Sequence, residues 1–332
     1  MRSAARLANR LEDLAFVPPL DRWWRRGLRG RVACLVYHRV GEPEEFPFLT
    51  RGGSPVVRAD QLERELSFLA DEGARFGTFA DLRSGWFPAP REIGVIVSFD
   101  DGFRSSYGAG LEVLESVGVP GVFFQSTALI DARTLIWEHA LYWRTRDDAS
   151  TERFREIVGR ELAALTKVGA GGAALAARLR SRVPGPELER LLAIAREAAG
   201  DGDEEAAQAE RAYPRAADLL KARALGHEIG SHGDRHYHRA TIDVKTFEDD
   251  LARSSRALTD LLGTPPSAFS YPFDAHRPGD DAIVGRHFLQ AATVGGRAIE
   301  RDADPLWLPR FAWPGHPRNA LRHRRWLSTG RI

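Results

Sequence analysis

Two clusters of side chains have the types and spacing to do chemistry. The first is Asp100-Asp101-Gly102, at the end of the apolar run Val95-Ile96-Val97-Ser98-Phe99. The second is Ser231-His232-Gly233-Asp234-Arg235-His236, in which two imidazoles stand four positions apart. If the second cluster is helical, that separation is about one turn and both rings share a face. Two histidines with one carboxylate make a divalent-metal site that leaves room for water. Each cluster alone has an ordinary reading, because Asp-Asp-Gly is a common turn and a His-x-x-x-His pair is often a surface or structural pair. Both, however, close segments that read as strands, and α/β folds collect their chemistry at the carboxyl ends of strands.

The elements that must position these groups are legible around them. Three consecutive aliphatic residues, Val95 to Val97, need cover on both faces, which a parallel sheet provides, so this run is a central strand. Adjacent residues leaving a strand point to opposite sides, so Asp100 and Asp101 do not duplicate one another unless the backbone turns there, and Gly102 permits a turn. Arg31–Tyr37 reads as the first strand. Asp60, with Glu63 three residues on, reads as the capping box of a helix carrying Leu62, Leu66 and Leu69. Phe76–Phe79 is a short strand, and the segment after Gly102 is a helix stopped by Gly118 and Pro120. Gly121–Thr127 is the next strand, which completes a strand-helix-strand unit. Further strands are expected at His227–Gly230, Ala268–Phe273, Gln290–Val294 and Leu308–Phe311, with a helix capped by Asp243 between the first two.

Residues 131–214 break this rhythm. They are rich in Ala, Glu and Arg and are divided by Gly169-Ala170-Gly171-Gly172, Pro184-Gly185-Pro186 and Gly200-Asp201-Gly202. The stretch is too long for a connection and reads as a helical insertion beside the active-site face, with Trp137, Glu138 and His139 reaching the cleft.

Composition narrows the class. With 332 residues, 43% hydrophobic and 28% charged, the chain is a soluble globular protein with a substantial core. A net charge of +1 gives no case for nucleic-acid binding. The single cysteine, Cys34, sits inside the first strand, excludes an intrachain disulfide scaffold and reads as a core thiol. No apolar run approaches the roughly 20 residues of a membrane-spanning helix, and the first residues lack the apolar core of a secretion signal. A cytoplasmic location is therefore the expectation. Residues 1–30 are basic and bear Trp23 and Trp24, which suits peripheral contact with the inner membrane surface. Docking on the domain as an outer helix suits them equally, and Pro18 and Pro19 keep each amphipathic piece short. The basic segment 313–332 reads as a solvated face, with a phosphate or membrane contact as the alternative. There is no Gly-rich phosphate loop, zinc-finger spacing or nucleophile elbow.

Ser98-Phe99-Asp100-Asp101-Gly102 and Gly226 to His236 resemble the first two motifs of the polysaccharide deacetylase family, metal-dependent hydrolases that remove N-acetyl groups from amino sugars. The resemblance covers residues 31–130 and 215–312 as one discontinuous catalytic domain. It implies a distorted, incomplete (β/α)7 barrel, where the pattern alone also allows an open doubly wound sheet. It further implies that Asp101, His232 and His236 hold one divalent ion and that Asp100 is the general base. Zinc is favoured by the imidazole and carboxylate donors, while cobalt, nickel, manganese and iron also suit them.

Tyr37-His38-Arg39-Val40 resembles the family's opening strand end, which places His38 at the catalytic mouth as a substrate contact or metal support. Ser270-Tyr271-Pro272-Phe273 resembles the third motif, with Ser270 where the family has arginine. Tyr271 is then a candidate for the acetyl pocket, and Arg310 a candidate replacement that orients Asp100. The family's Leu-x-His acid and Asp-x-x-Asp-Trp motif are absent, which leaves His316 or His276 as candidate acids, and His276 also as a substrate contact with Trp137. Asp234 is a candidate for orienting a ligand imidazole.

The function implied is hydrolysis of N-acetyl groups on an amino-sugar unit of a polysaccharide, oligosaccharide or lipid-linked glycan, in cell-envelope or exopolysaccharide metabolism. The alternatives are a metal-dependent hydrolase of another acyl amide or ester, and a carbohydrate-binding protein that kept the fold and lost its acid. Sugar identity, chain length and oligomeric state are not written in these residues.

Overall fold

A computed structural model describes residues 28–159 and 171–312. Its strands are β1 (Val32–Tyr37), β2 (Arg39–Val40), β3 (Val56–Val57), β4 (Arg75–Phe76), β5 (Gly94–Phe99), β6 (Gly121–Gln125), β7 (Glu228–Ser231), β8 (Ala268–Ser270), β9 (Gln290–Thr293), β10 (Leu308–Pro309) and β11 (Phe311–Ala312). Apart from the small β2-β3 pair, they form one parallel sheet in the order β10-β9-β8-β7-β6-β5-β1-β11, with β4 paired to the start of β5. All six residues of β1 and of β5 are buried, which is why both read as unbroken apolar runs.

The two ends of this path, β10 and β11, are separated in the chain by Arg310 alone. The sheet therefore curls into a mostly closed barrel whose seam falls at that residue, with Leu308 and Pro309 registered on β9 and Phe311 and Ala312 on β1. Alternation along the strands divides the core. Cys34, Ile96, Val122, Phe124, Ala268 and Ala292 pack together, while Leu35, Val95, Val97, Phe99 and Phe123 meet helix residues such as Leu62, Leu66 and Leu114. Burial in the first cluster pushes the Cys34 thiol up to about 12.

The helices are α1 (Pro47–Gly52), α2 (Ala59–Asp71), α3 (Phe79–Arg83) and α4 (Leu111–Val117), then α5 (Trp137–Arg144), α6 (Asp148–Val158), α7 (Gly172–Arg182), α8 (Gly185–Ala199) and α9 (Gly202–Ala212) in the insertion. They continue as α10 (Ala216–Ala224), α11 (Val244–Leu262) and α12 (Asp280–Val284). The apolar faces of α5 to α8, including Leu141, Phe154, Leu179, Leu188 and Leu191, join one cluster with Phe103, Phe269 and Tyr271 of the barrel's site end. The insertion is thus packed on the barrel. No helix among the described residues is long and apolar enough to cross a membrane.

Some local expectations are corrected. Asp60 does not cap α2, which starts at Ala59 after Arg58; Asp60 pairs instead with Arg58 and Arg64. The strand expected at Phe76–Phe79 stops at Phe76, because Thr78 and Asp81 form a capping box that opens α3 at Phe79. Most of the basic segment 1–30, and all of 313–332, lie outside the described residues.

Candidate metal centre

β5 ends at Phe99, and the chain turns at once through two left-handed residues, Asp101 (φ 70) and Gly102 (φ 88). The turn separates the two carboxylates. Gly102 also allows a close approach: a Cβ there would sit 2.3 Å from Oε1 of Gln125.

The second cluster follows β7 and is not helical, which corrects the one-turn reading of the His232–His236 spacing. The backbone of this loop finds its partners on other elements. The N–H groups of Asp234 and Arg235 donate to the buried carboxylate of Asp250 on α11, both at 2.9 Å. The carbonyls of Gly233 and Asp234 accept from Thr127 and Ala128, and that of Arg235 accepts from the indole of Trp137. With these groups engaged, the loop has no ladder of its own to form, and it passes through positive φ at Gly233 (77) and His236 (55).

The outcome is a convergence of three side chains. Nε2 of His232 lies 3.4 Å, and Nε2 of His236 lies 3.2 Å, from the same oxygen, Oδ1 of Asp101. One ligand atom from each residue falls within 4.8 Å of the others. The far nitrogen of each ring faces an acceptor. Nδ1 of His232 lies 2.8 Å from the carbonyl oxygen of Ser270, and Nδ1 of His236 lies 2.9 Å from Oε2 of Glu138, off the straight N–H line. A ring that turns its N–H toward an acceptor at Nδ1 presents a lone pair at Nε2, which is the form that binds a metal.

Electrostatics favours a cation at this point. Burial works against the Asp101 charge, but the imidazoles of His38, His236 and His232 outweigh it and hold the carboxyl well below its usual range. Burial likewise opposes charge on His236, yet the carboxylates of Asp101 and Glu138 pull it up to about 10 in the metal-free protein. The donor set and this field fit one divalent ion held by Asp101, His232 and His236.

Asp100 is turned to a different partner. Both its oxygens are gripped by Arg310, and Ser270 donates to Oδ2 at 3.2 Å. Arg310 in turn donates to the hydroxyls of Ser98 and Ser270 and lies over the Phe124 ring. Burial raises the Asp100 carboxyl, and Arg310, aided by His232, more than reverses that, so the group stays below its ordinary value. Ser270, at the position where the resembled motif has arginine, thus touches an arginine delivered from the junction of β10 and β11.

These groups open into a cavity of about 330 Å³ lined by His38, Asp100, Asp101, Glu138, His139, Arg180, His232, His236, Tyr271 and Phe273 among others. Tyr271 borders it, but its hydroxyl is buried, has no hydrogen-bond partner among the described residues and feels the charges of Asp280, Asp281 and Arg239 rather than those of the metal centre. Trp137 does not line it, because its ring is buried and its N–H is spent on the Arg235 carbonyl. His276 does not line it either; its ring packs against Trp307 and Tyr271. His316 lies outside the described residues. Asp234 orients no imidazole: it accepts from Thr127 and Arg253 and ties the loop to its neighbours. Sequence reasoning reached Glu138 only as a residue near the cleft and missed Arg180 and Asp250, whose partners come from distant elements, and Tyr142, which bonds Glu138 on its own helix and Arg180 on another.

Comparison with known proteins places this site in context. Residues 203–281, which include both histidines, match the polysaccharide deacetylase family model. IcaB from Ammonifex degensii superposes with a TM-score of 0.55 at 19% identity, over 90% of this chain and 97% of that one. A Streptococcus pyogenes deacetylase, PplD, solved in complex with acetate, gives 0.56 at 14% identity, over 89% and 99%. A de-N-acetylase from Aggregatibacter actinomycetemcomitans gives 0.53 at 15% identity, over 86% and 96%. No curated protein matches the sequence.

Proposed function

Taking the chain's relationship to the polysaccharide deacetylases as premise, we propose that it is a metal-dependent amide hydrolase that removes N-acetyl groups from an amino-sugar unit of a glycan. The observation that carries this is the convergence of Asp101, His232 and His236 beside a separate, arginine-held carboxylate, Asp100. An ion held by the three ligands would polarise the acetyl carbonyl and lower the pKa of a water beside it. Zinc is the ion we favour, on the imidazole donors.

The chain's own residues account for the proton movements. Asp100, kept ionised by Arg310, accepts a proton as water attacks the carbonyl carbon. The C–N bond then breaks, acetate leaves, and the nitrogen needs a proton to depart as a free amine. Among the described residues, four histidines line the cavity: His38, His139, His232 and His236. Two are ligands. Burial pushes His139 down to about 4, and its Nδ1 shares a hydrogen bond with the Tyr213 hydroxyl, so the cationic imidazolium that would serve as an acid is disfavoured there at neutral pH. His38, half-buried at the end of β1 and close enough to depress the Asp101 carboxyl, is the acid we assign. Tyr271 borders the acetyl pocket.

The substrate class we favour is a cell-envelope or exopolysaccharide glycan, free or lipid-linked. The basic, tryptophan-bearing segment 1–30 supports a cytoplasmic setting at the inner membrane surface. Equimolar release of acetate and free amine from N-acetylglucosamine oligomers by metal-loaded protein tests the reading. Matched acetyl esters distinguish amide from ester hydrolysis.

A further inference from the structure

We propose that the helical insertion completes the metal centre, with Glu138 as a positioning residue that fixes the ring of His236. The inference rests on the metal-site reading above and adds a residue from a segment that the resemblance does not cover.

The two ligand histidines are held by different parts of the molecule. His232 turns Nδ1 to a backbone carbonyl of β8, an acceptor built into the barrel. His236 has no such support. It sits at φ 55 in a non-helical loop, and its ring touches Phe273 and His232 at centroid distances of 4.5 and 5.0 Å. The acid facing its Nδ1 is Glu138, from α5.

Glu138 is itself clamped. Its other oxygen receives the hydroxyl of Tyr142, one turn further along α5, and the guanidinium of Arg180 from α7 at 3.0 Å. Arg180 also bonds the Tyr142 hydroxyl and lies over the Phe273 ring. Two inserted helices thus aim a buried carboxylate at one ligand ring. Glu138 is not a fourth ligand in this arrangement, because it lies at Nδ1 while Asp101 lies at Nε2 of the same ring. A carboxylate at that place orients the imidazole and strengthens its donor nitrogen, and losing such a partner typically weakens metal binding by roughly 10–100-fold. Metal affinity is therefore coupled to the docking of the insertion on the barrel.

The test is Co²⁺ binding to the full chain, read by visible absorption and by competition with a chromophoric chelator, in the parent, Glu138→Gln, Glu138→Ala and Asp101→Asn. The expected result is one ion per parent chain, none in Asp101→Asn, and weakening by roughly 10–100-fold with an altered band in Glu138→Ala. Glu138→Gln, isosteric and still offering an oxygen, should fall between parent and Glu138→Ala; if the alanine variant does not fold, Glu138→Gln against parent decides. Parent affinity and an unchanged band in the folded Glu138 variants would overturn the proposal while leaving the metal site standing. A parent that takes up no Co²⁺, or an Asp101→Asn variant that still does, would overturn the metal-site reading itself.

Discussion

Arg310 and Asp100, 210 positions apart, meet as a two-pronged fork, with Nη1 on Oδ1 and Nη2 on Oδ2, each at 2.7 Å. Both are buried, and Arg310 stands at the seam between β10 and β11. One residue therefore closes the barrel and holds the proposed base. Replacing Arg310 with Met leaves a buried carboxylate uncompensated, at a cost of about 3–5 kcal/mol. Denaturant unfolding should show that loss, and kcat should fall with it. Arg310→Lys should recover part of the stability and little of the rate, since a single ammonium cannot reproduce the fork.

Removing the metal with a chelator should abolish hydrolysis, and adding back one equivalent of divalent ion should restore it. Metal analysis should find one ion per chain in the parent and none in His232→Ala. Retention of a full equivalent by that variant would place the ion elsewhere.

His38→Gln should lower kcat by about 10²–10⁴ while leaving metal content unchanged, because the side chain is assigned to the leaving amine. A variant that turns over at the parent rate would remove His38 from the mechanism.

Gly102 is strained for any other residue, at φ 88 with the Gln125 side chain where a Cβ would stand. Gly102→Ala should cost on the order of 1–3 kcal/mol and weaken metal binding, because Asp101 is fixed by the same turn. Gly108→Ala is the control: a Cβ there meets open space, and its stability should lie within about 1 kcal/mol of the parent. Thermal or denaturant unfolding of both variants checks the pair.

His139 gives a pH dependence whose sign can be worked out. Its folded-state pKa is depressed, by burial, from 6.5 to about 4. The unfolded chain therefore binds the proton first, and the contribution is complete above pH 6.5 and is lost as pH falls toward 4, by an amount on the order of 3 kcal/mol. Unfolding of metal-free protein between pH 7 and 4 should lose stability more steeply in the parent than in His139→Phe. Equal slopes would show that His139 is not held neutral by the fold.

The sequence made the ligand set legible because metal chemistry restricts residue types, and Asp101, His232 and His236 stand in recognisable motifs. It made the barrel strands legible where both faces are buried, as in β1 and β5. It did not show how the imidazoles come together, since the spacing of four suggested a helix. The actual loop depends on Asp250, Trp137 and Thr127, which satisfy its backbone from three other elements. Trp137 was expected in the cleft for the same reason: an aromatic near a site in sequence looks like a substrate contact until its N–H is seen to have a backbone partner. Glu138 was legible only as a residue near the cleft, because its partners, His236 and Arg180, are set by how the inserted helices pack. The closing of the sheet at Arg310 was hidden by the shortness of β10 and β11, two residues each.

The most direct test of the account is time-resolved release of acetate and free amine from short and lipid-linked N-acetylated sugars, with metal-loaded parent and Asp100→Asn side by side. Equimolar acetate and amine are expected from the parent on at least one glycan, with near-complete loss in Asp100→Asn while its metal is retained. A metal-loaded parent that releases neither product from any of them, or an Asp100→Asn variant as fast as the parent, would contradict the account.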